Sequence, residues 1–295
     1  MNIVSTKCAY HFDKFRQDLI RLQNQYQFIV NTIGHSRLGK PIYEIKLGSG
    51  SKKIHLNGAF HANEWITSLV LMKWLEEFLQ FQISGEINSD FAKINLQDCT
   101  ISIVPMVNPD GVDLVITQDV PATWLQYCQT INGGSNDFST WKANIQGVDL
   151  NNQFPANWEI EKARKLPKSF APRDFPGISP LSEPEARALA QLTEKENFDR
   201  VFAFHTQGKE IYWGYENFHP LPESKILAEQ FAKLSGYKPI EIIDSHAGFR
   251  DWFIYQFRKP GFTIELGLGE NPLPLTQFNE IYDDVRNMIT AAIYL

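Results

Sequence analysis

The pattern of apolar and polar positions along the chain predicts that strands and helices alternate. Apolar residues recur every three or four positions in residues 10–27, which is the period of a surface helix. Apolar runs of strand length, bounded by turn residues, occupy positions 28–34, 42–48, 53–58, 100–107, 198–205 and 261–266. Longer segments predict helices at 65–82, 184–195, 221–234 and 275–295. This order of elements favours a largely parallel sheet that is covered on both faces.

The stretch from 110 to 177 interrupts this alternation. It is rich in asparagine, glycine, proline and aromatic residues and lacks a clear period, so we expect a long irregular segment there. Long loops within a compact domain are usually functional. No internal repeat or low-complexity linker divides the chain, so we expect residues 1–295 to form a single α/β domain.

Composition narrows the class of protein mainly by exclusion. The chain has 295 residues, of which 43% are hydrophobic, as is ordinary for a globular enzyme. A net charge of -6 argues against a nucleic-acid partner, because binding to phosphates normally requires an excess of Lys and Arg. No apolar run reaches the roughly 18 residues of a membrane span, and no signal peptide is visible, so no membrane association is predicted.

The three cysteines, Cys8, Cys99 and Cys128, are odd in number and widely spaced. This usage fits free thiols in a reducing compartment better than a disulfide framework or a zinc knuckle. The sequence therefore predicts a cytoplasmic protein. A chain trimmed from an exported or wall-associated protein would have the same features and is the alternative.

The candidate chemistry begins at His61-Ala-Asn-Glu64, at a predicted strand-to-helix junction. Residues three apart on a first helical turn lie on one side of it, so the imidazole and the carboxylate can reach one ion. This spacing also occurs by chance, and a catalytic zinc needs a third ligand, normally from a distant part of the chain. His205 is the best candidate, because it ends an apolar strand where α/β sheets place their sites, although a structural histidine is the alternative. Four other histidines are expected in a helix, a strand or turns: His11, His35, His55 and His219.

Hydrolysis at such a metal also requires a carboxylate that is not a ligand. This group takes a proton from the attacking water and passes it to the leaving nitrogen. Glu265 fits the role, because it is an acid inside an otherwise apolar strand, where an unpaired charge is costly unless the site needs it. A buried salt bridge is the alternative for Glu265.

Several motifs in order make the sequence resemble the zinc metallocarboxypeptidases of the carboxypeptidase A type, over almost the whole chain. The motifs are HANE at 61–64, NPDG at 108–111, WKAN at 141–144, GVDLN at 147–151, SEPE at 182–185, FH at 204–205, DW at 251–252 and FTIE at 262–265. The resemblance implies one zinc ion, with His61, Glu64 and His205 as ligands and Glu265 as general base. It also implies a three-layer α/β/α sandwich around a mixed, mostly parallel eight-stranded sheet.

The resemblance implies roles for two further residues. Asp149 is similar to the family's aspartate that holds a ligand imidazole by its far nitrogen and so fixes the tautomer. Lys142 stands where the family usually has an arginine that polarises the scissile carbonyl, and a lysine supplies charge without the bidentate fork. A surface lysine beside a core Trp141 is the alternative.

The sequence departs from the family at the position that would bind a C-terminal carboxylate. The family usually has Asn-Arg after Gly-Val-Asp-x, whereas this chain has Asn151-Asn152. Loss of one buried charge-assisted pair costs roughly 1.5–3 kcal/mol, which removes most of a preference for ordinary C-terminal residues. Residues 151–158, 205–208, 211–213, 248–252 and 271–274 instead resemble the bacterial γ-D-glutamyl-meso-diaminopimelate peptidase branch of the family.

This second resemblance implies a small murein stem peptide as the partner, cleaved between D-glutamate and diaminopimelate. Such a substrate carries several carboxylates and an amine. Arg250, which we expect on a glycine-containing loop, is a candidate for holding a carboxylate, with Asn151, Asn152 and Gln207 as neutral hydrogen-bonding groups. Asp251 is a candidate for meeting an ammonium group. A solvated loop charge is the alternative for Arg250.

Two other functions are compatible with the same motifs. The zinc site could serve an ordinary carboxypeptidase or an amidohydrolase, although residue 152 is not the arginine that such a carboxypeptidase uses. A catalytically silent relative could bind wall fragments as a sensor. The intact candidate ligands and the acid at Glu265 argue against the silent binder, because binding alone has no chemical need for that acid.

Overall fold

The computed structural model describes residues 2–85, 90–216 and 222–295. His219 and Leu221, the first residue of one predicted helix, lie outside these ranges. Within them, eight strands form one sheet in the order β1-β2-β4-β3-β5-β8-β6-β7. The strands are β1 (Ile29–His35), β2 (Pro41–Gly48), β3 (Lys52–Asn57), β4 (Cys99–Val104), β5 (Arg200–Thr206), β6 (Glu210–Tyr212), β7 (Lys238–Ile240) and β8 (Gly261–Leu266).

The centre of the sheet is parallel and its margins are mixed. Parallel pairs join β4 to β3, β3 to β5 and β5 to β8, and a fourth joins β6 to β7. The pairs β1–β2, β2–β4 and β6–β8 are antiparallel. Strands β4 and β5 are buried at every position, as expected for strands covered on both faces. The predicted mixed, mostly parallel sheet is confirmed for the described strands.

Helices cover both faces of the sheet, which confirms the predicted α/β/α sandwich. On β5, Phe202 and Phe204 join a core with side chains of α1, α2, α7 and α9, whereas Val201 and Ala203 join a core with α6 and α8. The helices in the described ranges are α1 (Phe12–Gln25), α2 (Ile66–Ser84), α3 (Pro109–Ile116), α4 (Ala122–Ile131), α5 (Trp158–Arg164), α6 (Pro184–Glu196), α7 (Pro222–Ser235), α8 (Phe249–Phe257) and α9 (Phe278–Tyr294).

The segment 110–177 is less irregular than its composition predicts, because it contains most of α3 and all of α4 and α5. Before α3, the side chain of Asn108 accepts a hydrogen bond from Gly111 N at 3.1 Å, and Pro109 occupies the start of the helix. In α4, Cys128 alone is fully buried. The expectation of one long irregular segment is therefore wrong. The helix α4 was not recognisable in the sequence because its apolar stripe is so narrow.

Arg250 lies in the first turn of α8, so the loop predicted there is wrong. Oδ2 of Asp251 accepts a hydrogen bond from Gly248 N at 3.1 Å, which stabilises the start of the helix. Gly248 is therefore the residue that precedes a helix rather than the sign of a flexible loop. Strands β6 and β7 have three residues each, which is too short to produce a recognisable period.

The carboxyl ends of the central parallel strands meet at one edge of the sheet. The segment that carries His61 follows β3, and Asn108 follows β4. His205, near the end of β5, is paired in register with Glu265 on β8. This edge is where open α/β sheets place their binding sites. The topology therefore brings the candidate ligands and the candidate base to one place.

Candidate metal centre and active-site cavity

His61, Glu64 and His205 converge at this edge of the sheet. Nδ1 of His61 lies 2.8 Å from Oε1 of Glu64 and 3.3 Å from Nδ1 of His205. Nδ1 of His205 lies 2.9 Å from Oε2 of Glu64. All three residues are buried, and one ligand atom from each lies within 4.8 Å of the others. Ligand atoms around a tetrahedral zinc with bonds of about 2.1 Å are about 3.4 Å apart, so this donor set fits one zinc ion.

Local structure explains the convergence. His61 is extended and precedes the short 3-10 turn Ala62–Glu64, which returns the Glu64 carboxylate to the side of the imidazole. The ring of His205 stacks on Phe60 with centroids 5.8 Å apart. Nε2 of His205 is buried and has no hydrogen-bond partner within the described residues. Nδ1 is therefore the nitrogen of His205 that faces the other two donors.

Asp149 lies behind His61, where the resemblance places it. Its Oδ1 is 3.1 Å from Nε2 of His61, so in the neutral ring the proton is held at Nε2 and the lone pair of Nδ1 can bind a metal. Burial alone would lower the pKa of His61, but the carboxylates of Glu64 and Asp149 raise it to about 9. Burial would raise the pKa of Asp149, but the His61 ring holds it well below its ordinary value.

Lys142 contacts the same oxygen of Glu64 as His61 does. Its Nζ donates to Oε1 of Glu64 at 3.0 Å, so Lys142 is not the solvated surface lysine of the alternative interpretation. Burial would raise the pKa of Glu64, but His61 and Lys142 hold it well below its ordinary value. Burial would lower the pKa of Lys142, but Glu64 raises it. A cation is therefore held directly beside the candidate ligands.

Glu265 is partly buried on β8, where its backbone pairs with β5 and β6, and its carboxylate has no hydrogen bond or ion pair with any described residue. The salt bridge of the alternative interpretation is therefore not observed in the described ranges. Burial, and then the negative charge of Glu64, raise the pKa of Glu265 to about 8. This carboxylate can hold a proton close to the ligand set without itself being one of the three converging donors.

A cavity of about 490 Å³ opens beside these groups. It is lined by three residues expected from the sequence, Lys142, Gln207 and Glu265. Oε1 of Gln207 accepts a hydrogen bond from Gly269 N at 3.3 Å. The sequence interpretation did not include the other lining residues, which are Asn63, Thr140, Arg173, Thr206, Tyr212, Gly269, Glu270 and Asn271.

Some of these additional residues carried a signal in the sequence. Asn63 lies inside the HANE motif, and Asn271 begins the segment 271–274 that carries part of the resemblance. Asn271 is tied to Thr206 by two hydrogen bonds, from its Nδ2 to the Thr206 carbonyl at 2.9 Å and from Thr206 Oγ1 to its Oδ1 at 2.6 Å. Arg173 carried no signal, because it lies in the segment interpreted as irregular.

Asn151 and Asn152 do not line the cavity. Oδ1 of Asn151 accepts a hydrogen bond from Phe249 N at 3.1 Å, which fixes the start of α8. Asn152 is buried, in the short 3-10 turn Leu150–Asn152 that follows Asp149. Neither is among the described residues that line the cavity, and a contact of either residue with a ligand stays a prediction.

Arg250 and Asp251 form a buried ion pair beside the cavity. Both oxygens of Asp251 accept hydrogen bonds, one from Arg250 and one from Gly248 N, and the contact of Asp251 with an ammonium group stays a prediction. The guanidinium of Arg250 is 5.7 Å from the ring of Tyr212, which lines the cavity. Nη1 of Arg250 is buried and lacks a partner among the described residues. Arg250 is therefore a buried donor close to the cavity, not a solvated loop charge.

Two further expectations concern the rest of the chain. Cys8, Cys99 and Cys128 are all free, as their spacing predicts. Across the described ranges, no helix combines the length and the apolar character that crossing a membrane requires.

The fold and the site together define an α/β protein with a three-ligand centre for a single metal and an unliganded carboxylate beside it. The family model for zinc carboxypeptidases matches residues 15–288, and the chain belongs to this family of zinc peptidases. This membership confirms the predicted family and cofactor.

Individual relatives refine the comparison. The chain is 47% identical over 297 residues to a Lysinibacillus sphaericus protein named gamma-D-glutamyl-L-diamino acid endopeptidase 1, with 99% of this chain and 74% of that protein covered. It is 48% identical over 268 residues to the uncharacterized protein YqgT of Bacillus subtilis, with 89% and 71% covered. The crystal structure of carboxypeptidase A from Helicoverpa armigera is similar with a TM-score of 0.72 and 18% identity, covering 98% of this chain and 73% of that one. This last similarity establishes the fold alone.

Proposed function

We propose that this protein is a zinc peptidase that hydrolyses the amide bond between the γ-carboxyl group of D-glutamate and diaminopimelate in murein stem peptides. The observation that carries the hydrolytic part is the placement of Lys142 and Glu265 in one cavity beside the three converging donors. The relative named as a γ-D-glutamyl-L-diamino acid endopeptidase, 47% identical over nearly the whole chain, supports the choice of bond.

Each residue has a distinct role in this proposal. His61, Glu64 and His205 would hold the zinc ion, which would supply a Lewis acid for an amide carbonyl and for a water molecule near neutral pH. Lys142 donates to the carbonyl oxygen as negative charge develops on it. Glu265 takes the proton of the attacking water and then delivers it to the leaving nitrogen.

The neutral residue at position 152 supports this substrate over an ordinary peptide. Asn152 is buried where the resemblance predicts an arginine that binds a C-terminal carboxylate, and an amide cannot replace that bidentate ion pair. The described cations near the cavity are Lys142 and Arg173, which line it, and Arg250, which lies behind Tyr212. These positions suit a ligand with several separated carboxylates, as a stem peptide has. In this proposal Arg250 binds one of those carboxylates through Nη1, and Gln207 adds a neutral hydrogen bond.

The proposal extends to the organisation of the chain. We infer that residues 1–295 act as one peptidase domain with a murein peptide as its ligand, and that the protein works in the cytoplasm. The free cysteines support a reducing environment. Fractionation of the producing cells, with an antibody against the protein, tests the location.

Digestion of defined peptides by the zinc-loaded protein tests the function. The substrates are L-Ala-γ-D-Glu-meso-diaminopimelate, the same peptide joined by an α-linkage, and tetrapeptides with free or blocked C-termini. Mass spectrometry should detect release of diaminopimelate from the γ-linked tripeptide alone. Removal of C-terminal residues from the free tetrapeptides would instead identify an ordinary carboxypeptidase. Less than about half a zinc ion per chain after reconstitution, with binding but no cleavage, would identify a silent binder.

A further inference from the structure

The described residues that line the cavity come from two parts of the chain. One wall, here called the Arg173 wall, consists of Asn63, Thr140, Lys142 and Arg173. The other lining residues come from the stretch between the end of β5 and the end of β6, from β8 and from the segment after it, and they include the acids Glu265 and Glu270. Both cations that line the cavity, Lys142 and Arg173, thus belong to the Arg173 wall, which attracts a carboxylate of a ligand.

Arg173 is placed on this wall by a segment that is tied to the site. The carbonyl of Pro172 accepts hydrogen bonds from the backbone N–H groups of Lys142 and Ala143, both at 2.9 Å. The next residue, Asp174, donates its N–H to Oδ2 of Asp149 at 3.3 Å. The backbone on both sides of Arg173 is thus held by Lys142 and by the partner of His61.

The guanidinium of Arg173 keeps donors available for a ligand. Its Nε donates to Oδ2 of Asp174 at 3.1 Å, which orients the side chain. Its two terminal nitrogens have no hydrogen-bond partner in the described ranges, and 52% of the side chain is exposed. Lys142, the other cation of the wall, is already engaged with Glu64. Because the proposed function assigns Lys142 to the carbonyl oxygen, Arg173 is the lining cation that is left to pair with a carboxylate.

Asn63 supplies an independent sign of a ligand on the same wall. Asn63 is 2% exposed and lines the cavity. Nδ2 donates to the carbonyl of Ser139 at 3.1 Å, which fixes the orientation of the amide. Oδ1 is left buried without a partner among the described residues. Buried acceptors are normally satisfied by protein or by water, so this oxygen is available to accept a hydrogen bond from an N–H group of a bound molecule.

We infer that the Arg173 wall binds the γ-D-glutamyl half of the substrate. Arg173 pairs with the free α-carboxylate of that residue, and Oδ1 of Asn63 accepts the N–H on the same α-carbon. This inference rests on the proposed function. A γ-linkage leaves the α-carboxylate free on the acyl side of the scissile bond, whereas an α-linked peptide has no charge at that position. The wall is thus the feature that distinguishes a γ-D-glutamyl bond from an ordinary peptide bond.

Two tripeptides that differ in one group test the role of Arg173. One has the free α-carboxylate on its γ-linked D-glutamate, and the other has a carboxamide there. The zinc-loaded protein should cleave the acid with kcat/KM about 10- to 100-fold higher, as expected for one charge-assisted pair. In Arg173→Gln this ratio should fall to about one, and in Arg173→Lys it should be intermediate. Arg21→Gln, an exposed arginine on α1, should keep the full ratio.

Methylation of the alanyl–glutamyl amide nitrogen tests Asn63 separately. The unaltered protein should cleave the methylated peptide about tenfold more slowly than the parent peptide. Asn63→Ala should cleave the two peptides at the same rate. Zinc stoichiometry of Asn63→Ala checks that the adjacent ligands His61 and Glu64 still form their site. A loss on methylation that is the same in both proteins would overturn the assignment of Oδ1.

The outcomes separate this inference from the proposed function. One outcome is that both tripeptides are cleaved while Arg173→Gln leaves the ratio of their kcat/KM values unchanged. This result would overturn the subsite and would leave the proposed peptidase activity in place. If neither is cleaved, the proposed function fails. Calorimetry with the zinc-loaded Glu265→Gln protein then measures binding directly. Tighter binding of the acid, lost when Arg173→Gln is added, would support the subsite, and equal binding of acid and carboxamide would overturn it.

Discussion

Oδ1 of Asp149 lies 3.1 Å from Nε2 of His61, on the side of the ring away from Nδ1, which faces Glu64 and His205. This one contact decides which nitrogen is free to bind a metal. Because Nε2 donates to the carboxylate, the lone pair remains on Nδ1 and the ring cannot rotate away. His205 has no described counterpart, since its Nε2 is buried without a partner.

We predict that Asp149→Asn weakens zinc binding about 10- to 100-fold. A neutral amide oxygen is a poorer acceptor for Nε2 of His61, so both the tautomer and the basicity of the ligand are less well fixed. Competition with a fluorescent chelator measures the dissociation constant. Asp244→Asn, an exposed aspartate, is the control and should leave it unchanged. Equal zinc affinity in Asp149→Asn and the unaltered protein would show that Asp149 does not act on the metal site.

We predict that Glu265→Gln lowers kcat by about 10²- to 10⁴-fold while zinc still binds at one ion per chain. The amide cannot take a proton from water or deliver it to nitrogen, and proton transfer by a positioned group contributes that factor. Steady-state kinetics on the γ-linked tripeptide and metal analysis measure the two quantities. Glu280→Gln on α9, an exposed acid, is the matched control. A Glu265→Gln protein with near-normal kcat would remove Glu265 from the mechanism.

We predict that Lys142→Met lowers kcat by about 10²- to 10³-fold and that Lys142→Arg retains most of the activity. Removal of one donor to the developing oxyanion costs this much, and arginine restores the charge with additional donors. KM should change less than kcat, because the contact strengthens as charge develops. Lys225→Met, an exposed lysine on α7, serves as the control. A loss confined to KM would identify Lys142 as a group for binding the substrate only.

The convergence of the ligands could be predicted because it depends on regular structure. The motif at His61 follows β3, and His205 lies one residue before the end of β5. The ends of neighbouring parallel strands lie together in any sheet of this kind. Glu265 could be found because it is an acid in an apolar run. A buried strand, and a polar residue within it, can both be recognised from the sequence alone.

Arg173 and the helical position of Arg250 could not be predicted in this way. Arg173 reaches the cavity because Pro172 accepts hydrogen bonds from the distant residues Lys142 and Ala143, and no local pattern records such contacts. Gly248 before Arg250 suggests a loop when only the neighbouring residues are considered. The decisive interaction, from Gly248 N to Asp251, becomes visible only when the helix is present.

We predict that zinc stabilises the folded protein by about 4 kcal/mol when its free concentration is about 1,000 times the dissociation constant. The metal binds the converged donors of the native state, and these donors lie far apart in the unfolded chain. Urea unfolding with zinc and with a chelator measures the difference in the free energy of unfolding. In His61→Ala this difference should be largely lost. An equal stabilisation in His61→Ala would place the bound zinc elsewhere.

We predict that Glu185→Gln stabilises the protein above pH 7 by up to about 3 kcal/mol and has little effect near pH 4. Glu185 is fully buried in α6, and burial is the main cause that raises its pKa from 4.5 to about 7. Between these two values the folded state binds more protons than the unfolded state. The contribution of Glu185 to stability is therefore complete below pH 4.5 and is lost as the pH rises through 7.

Glutamine mimics the neutral carboxyl of Glu185 and can keep the acceptor for Arg37 N, which lies 2.9 Å from Oε1 of Glu185. Urea unfolding of zinc-loaded protein from pH 4 to 8 measures the effect, with the exposed Glu194→Gln on the same helix as control. Parallel stability curves for Glu185→Gln and the unaltered protein would show that this carboxyl titrates alike in the folded and unfolded states.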